Sequence, residues 1–170
     1  MNKDLLEMVR YTVSVRSEIQ IRIHTNGSIQ NIAWWTELAH VLPENHMVVW
    51  GIDGLEDTNH IYRIGTVFSK IMSNAKAFID AGGKADWAFI VFKHNEHQLK
   101  TAETKAYNMG FTVFTHKNSN RFMMESMFPV YDKNGETLYH LEPPSESKIV
   151  FIDKKVIDNY KQIVKDSEID

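Results

Sequence analysis

Three short apolar runs in this chain each stop at a cluster of polar residues, and each is followed by a segment with helical spacing. They run from 19–23 into His24-Thr25-Asn26-Gly27, from 47–50 into Gly51-Ile52-Asp53-Gly54, and from 87–92 into Lys93-His94-Asn95. A strand that must run parallel to the one before it needs a long crossover, and a helix is the usual one. The repeated order of strand, polar cluster and helix therefore predicts a parallel β/α fold. Such folds bind ligands at the carboxyl ends of their strands, which is where these polar clusters fall.

The remaining pattern fills in the order of elements. Leu5, Leu6, Val9 and Val13 mark a helix over 4–17. Ile19, Ile21 and Ile23 alternate with Gln20 and Arg22 as a strand does. A helix over 31–41 has Asn31 as its N-cap, with Ile32, Trp35, Leu38, Ala39 and Leu42 facing inward. Residues 53–65 read as a long polar loop. Val67, Phe68, Ile71, Met72, Ala75, Phe78 and Ile79 give the clearest helical face, over 67–80, stopped by Gly82-Gly83. Asn95 with Gln98 resembles a capping box that opens a helix to Asn108. Residues 111–114 form a fourth strand. The expected order is α-β-α-β-α-β-α-β, a parallel sheet with right-handed crossovers.

Beyond residue 122 the character changes. Residues 129–131 and 137–141 flank Asp132-Lys133-Asn134-Gly135 and predict a hairpin around an Asn-Gly turn. Pro143-Pro144 breaks the chain, and residues 153–166 read as a charged amphipathic helix with Val156, Ile157, Tyr160, Ile163 and Val164 inward. The division is 1–122 as a β/α unit and 123–170 as a hairpin with a helical extension.

Composition limits the chemistry. The 170 residues contain no cysteine, so disulfides, thiolate zinc sites and self-ligated iron–sulfur clusters are excluded. A formal net charge of −3 gives no electrostatic case for nucleic acid. No run approaches a membrane span and the amino terminus has no apolar signal core, so the expectation is a cytoplasmic protein. His94 and His97 have the spacing of a metal pair but no evident third ligand. Trp34, Trp35, Trp50 and Trp87 are expected in the core.

In their order and wording these segments resemble the radical S-adenosylmethionine superfamily, in its phage-encoded and peptide-modifying (SPASM-like) branch. Residues 21–27 (IRIHTNG) are similar to that family's third strand, which often ends in T-N-G. Residues 48–55 (VVWGIDGL) resemble its fourth strand, usually ending S-[IL]-D-G. Residues 60–65 (HIYRIG) resemble the H-x-x-x-R-x-G that follows, and Ala81-Gly82-Gly83 with the strand into Asn95 fits the fifth unit. The resemblance covers roughly residues 1–122. It implies strands three to six of a partial (β/α) barrel, with a C-terminal hairpin and helix appended.

The departures are as informative. The C-x-x-x-C-x-x-C loop that holds the family's 4Fe–4S cluster is absent, as are the first two strands and the G-G-E-P motif that grips the methionine amino group. The resemblance therefore implies a truncated or split protein with half of an S-adenosylmethionine pocket and no catalytic residue of its own. A 4Fe–4S cluster would have to take its ligands from another chain. It also implies ligand-facing residues: Thr25, Asn26 and Gly27 after the first strand, Gly51, Asp53 and Gly54 after the second, and Asn95 after the third. Arg63 is the expected anchor for a ligand carboxylate, which a guanidinium binds bidentately. Each residue also has a plain structural reading: Asn26-Gly27 as a turn, Asp53 as a solvated turn residue, Arg63 paired with Glu56 or Asp57, Asn95 as a cap. Two further readings stand beside the fragment. One is a non-catalytic module for a nucleotide-like ligand. The other is an interaction protein that pairs through an open sheet edge, with a complementary N-terminal fragment or with itself.

Overall fold

A computed structural model of the chain describes residues 2, 4–16, 18–123 and 126–145. The predicted helix over 153–166 lies outside the described residues. The elements run α1 (Leu5–Val15), β1 (Arg22–Thr25), α2 (Ile32–Val41), β2 (Met47–Gly51), α3 (Asn59–Tyr62), α4 (Phe68–Asp80), β3 (Ala85–Val91), α5 (Leu99–Met109), β4 (Val113–Asn118), β5 (Phe128–Tyr131) and β6 (Thr137–Leu141). Short 3₁₀ turns precede α5 and follow β4. Strands β1 to β4 form one parallel sheet in sequential order, and β5 and β6 form a separate antiparallel pair. The fold is mixed α/β. Among the described residues the large sheet is open: β1 pairs only with β2, and β4 only with β3.

Alternation within the strands separates the two faces of this sheet. Val48, Trp50 and Ile52, then Ala85, Trp87, Phe89 and Val91, then Phe114, join Val9, Trp35, Leu38, Ile71, Phe78, Ala102 and Ala106 from the helices in one buried cluster. The helices therefore cover one face. The opposite face carries Arg22 and His24, then Val49 and Gly51, then Asp86, Ala88 and Ile90, then Val113, Thr115 and Lys117. No helix among the described residues lies over it. A smaller cluster of Phe92, Phe122, Phe128, Val130 and Leu141 seats the hairpin against Ile61, Tyr62 and Ile90, above the carboxyl end of β3.

Several expectations change at element ends. The first strand begins at Arg22 rather than residue 19, because pairing starts where the Met47 amide reaches the Ile21 carbonyl at 3.2 Å, and Ile19 is exposed. The fourth strand is shifted to Val113–Asn118, since Phe111 packs against Trp87 at the end of a left-handed Gly110 cap. Ile32 and Val67 do not face the core. They stand at helix entrances and are exposed, Val67 itself being the N-cap of α4. Residues 53–65 are not all loop, since they include α3. Asn31 caps α2 as expected, accepting from the Trp34 amide at 3.0 Å. No helix among the described residues is long and apolar enough to cross a membrane.

Phe78 anchors the helical layer. Its ring meets Trp35 edge-on and Trp50 at a tilt, each with centroids 6.3 Å apart. Phe78→Ala is expected to cost ~3–5 kcal/mol through the cavity it leaves, whereas Ile32→Ala, on the exposed side of α2, should stay within about 0.5 kcal/mol. Urea unfolding of both variants checks this, and comparable losses in the two would refute the assigned faces.

Candidate functional site

The helix-free face ends, at the carboxyl side of β1 to β3, in a cavity of about 370 Å³ lined by His24, Thr25, Asn26, Val49, Gly51, Arg63, Ala88, Ile90 and Lys117. Small residues from the central strands form its floor, and Arg63, Lys117 and His24 supply its polar wall. No carboxylate lies among the lining residues. The arrangement is suited to an anionic group.

Arg63 is held there by a buried carboxylate. Asp53 is fully buried just beyond β2, and its Oδ2 accepts from Arg63 Nε at 2.6 Å. Its Oδ1 accepts from the Ile90 amide at 2.6 Å, which ties the end of β2 to β3. Burial raises the Asp53 carboxyl above its ordinary value, and the Arg63 charge and the Ile90 amide oppose that rise. Arg63 remains about one quarter exposed, so part of its guanidinium faces the cavity. Gly51 makes room for it: a Cβ at this position would lie 2.6 Å from Arg63 Nη2.

Four of the residues anticipated from sequence, Thr25, Asn26, Gly51 and Arg63, therefore line one cavity. The other four are structural supports around it. Asp53 is not a solvated turn residue and is spent on Arg63 and Ile90. Gly27, at φ 69°, packs its Cα against the Trp50 ring, and its carbonyl accepts from Asn74 Nδ2 at 2.8 Å. Gly54, at φ 147°, is buried against Thr58 and Asn59. Asn95 does not cap a helix with its side chain. Its Oδ1 accepts from the Phe92 amide at 2.7 Å, and its Nδ2 donates to the Asp53 and Ile90 carbonyls at 2.8 and 3.0 Å. Arg63 pairs with neither Glu56 nor Asp57; Asp57 instead accepts from Gln98 Nε2. His24 and Lys117 are residues that sequence reasoning missed. The signal for His24 was its place in the alternation with Arg22, which sets both on the face opposite Ile23.

A larger depression, of about 920 Å³, lies on the helical side between residues 55–57, α4 and α5. It lies on the helix-covered side of the sheet and is lined by none of the residues of the strand-end cavity. His94 stacks on Phe92 with ring centroids 5.3 Å apart, and its Nε2 is buried without a partner. Among the described residues, no group of three His, Asp or Glu side chains is placed to hold a metal ion. No protein-family model matches the chain, and no curated protein matches it.

His94 also makes the fold sensitive to acid. Burial, with the charges of His97 and His60, holds its pKa below the ordinary value. The unfolded chain therefore takes up a proton near pH 6.5 that the folded chain refuses, so stability is full above that pH and falls as pH drops through the folded value. Unfolding free energies between pH 7.5 and 5 should decline in the parent and decline less steeply in His94→Gln. Equal slopes would refute the assignment.

Proposed function

We propose that this chain is a truncated or split protein of radical S-adenosylmethionine type that keeps the carboxylate-binding half of the ligand pocket. One observation carries the reading. An arginine is fixed by a buried aspartate over a glycine at the end of the second strand, in a cavity that holds cationic side chains and no carboxylate. Arg63 falls in the segment whose wording resembles the family's, and Thr25, Asn26 and Gly51 lie beside it. Helices on one face of a sequentially ordered parallel sheet agree with part of a β/α barrel. In this reading Arg63 and Lys117 hold the carboxylate of an S-adenosylmethionine-like ligand, and Thr25 and Asn26 border it.

The residues do not fit a resident 4Fe–4S cluster. The chain has no thiolate to offer one, so radical chemistry would need ligands from another polypeptide. The chain by itself acts as a binding module. Anaerobic reconstitution with iron and sulfide is expected to leave the desalted protein without a cluster absorption band.

Calorimetric titration tests the ligand assignment. S-adenosylmethionine and S-adenosylhomocysteine should bind, and adenosine, which lacks the carboxylate, should bind at least ~10-fold more weakly, a difference of about 1.4 kcal/mol. Lys117→Gln, at an exposed position, should weaken the two carboxylate ligands and leave adenosine unchanged. Equal affinity for all three compounds, or no binding of any, would overturn the proposal.

A further inference from the structure

Among the described residues, no strand pairs with either outer flank of the open sheet. In β4, the Thr112 amide bonds the Ala85 carbonyl at 2.8 Å, so by alternation Val113, Thr115 and Lys117 present their amides and carbonyls outward. In β1, the Ile21 carbonyl accepts from Met47, so Arg22 and His24 present theirs outward. Both edges run in the same direction, since all four strands are parallel. A strand equivalent to β1 therefore fits the β4 edge in the same sense that β2 fits β1.

The helix beside the β1 edge is apolar where no described residue covers it. On α1, Arg10 pairs with Glu37 of α2 and so marks the side toward α2. Met8, Tyr11 and Val15, spaced i, i+3, i+7 on the side away from α2, are 54%, 70% and 55% exposed. At the other end, Tyr107 sits on α5 away from Lys105 and Asn108, which face the groove toward α4, and is exposed as well. An apolar stripe thus borders the β1 edge, and an exposed tyrosine stands beside the β4 edge. Between them, the helix-free face buries Asp86, whose Oδ1 has no partner although Arg22 approaches its other oxygen at 3.5 Å. Such a face is built like a barrel interior rather than a solvated surface.

We propose that two copies of this chain associate edge to edge, β4 of each beside β1 of the other, to close an eight-stranded parallel barrel. Four strands from each copy give the number at which a β/α barrel closes with its interior filled by side chains. The helices also match. α2, α4 and α5 cover the three gaps between strands within one copy, and α1 covers the gap between β1 and the neighbouring copy's β4. The α1 stripe then packs on the Tyr107 side of α5 in the other copy. A two-fold axis uses both edges at once, so assembly stops at two and leaves no edge to propagate. The hairpin sits above the end of β3, and among the described residues no strand pairs with the outer edge of β4. A second copy satisfies both flanks with surfaces already present. A foreign partner would need to reproduce an α-β edge of matching direction at each end. The inference does not depend on the ligand reading.

Sedimentation velocity of the full chain at ~1–100 μM is the test. The expected species has twice the 19.7 kDa chain mass. Thr115→Pro removes an outward amide and leaves the β3 ladder intact, and Tyr11→Lys places a charge in the α1 stripe. Each should raise the dissociation constant at least ~10-fold with far-ultraviolet circular dichroism and melting of the separated chain unchanged. Hydrogen exchange should show protection at Arg22, His24, Thr115 and Lys117 that is lost on dilution. A monomer throughout the range, a dimer indifferent to both substitutions, larger open oligomers, or a dimer with these amides unprotected would each overturn the proposal. If Thr115→Pro is poorly folded, Tyr11→Lys and the exchange pattern of the parent decide it.

Discussion

The Asp53 carboxylate is the interaction on which the arrangement of strand ends depends. It is fully buried, and its two oxygens hold different parts of the chain: Ile90 in β3 and Arg63 after α3. Its own backbone is bound by Asn59 Oδ1 on one side and Asn95 Nδ2 on the other. A carboxylate without water must be paired to be tolerated. The loops after β2 and β3 are therefore drawn to one point because Asp53 needs what they provide. Gln98 extends the same logic, meeting the Leu55 amide, Thr58 and Asp57 from the start of α5. The cavity wall is consequently preorganised, with Arg63 set in place by protein groups and not by a ligand.

This arrangement gives the glycines of these loops a physical meaning. Gly51 admits a guanidinium, Gly27 admits an indole, and Gly54 admits the Thr58 and Asn59 backbone. Only the first of these serves the cavity directly. The other two show how readily a glycine beside a site belongs to the scaffold that shapes it.

Element type and order were legible because apolar periodicity survives on both strands and helices: Trp50 and Trp87 lie on the buried face of their strands, and Ile71, Ala75 and Phe78 on that of α4. Ends were less legible. Ile19 and Val67 are apolar but fall just outside the hydrogen-bonded segment, where hydropathy alone does not distinguish entry from interior. The site was half legible. Thr25, Asn26, Gly51 and Arg63 sit beside the strand ends that the pattern located. Asp53 and Asn95 belong to the same loops, yet their burial is decided largely by partners distant in the chain, Ile90 for one and Asp53 for the other. Lys117 reaches the cavity only because β4 extends four residues beyond Phe114 after an overall shift along the chain, which no local signal carries.

The hairpin brings a mechanical consequence. Tyr139 donates its phenol to the Ile61 carbonyl at 2.6 Å, and the Tyr62 ring lies 4.7 Å from Phe92 and 6.4 Å from Phe128, with the Arg63 guanidinium 5.0 Å above it. The short helix that carries Arg63 is thus clamped between the small sheet and the large one. Peeling the hairpin away would release α3, and with it the arginine, so the cationic wall and the small sheet melt as one cooperative unit.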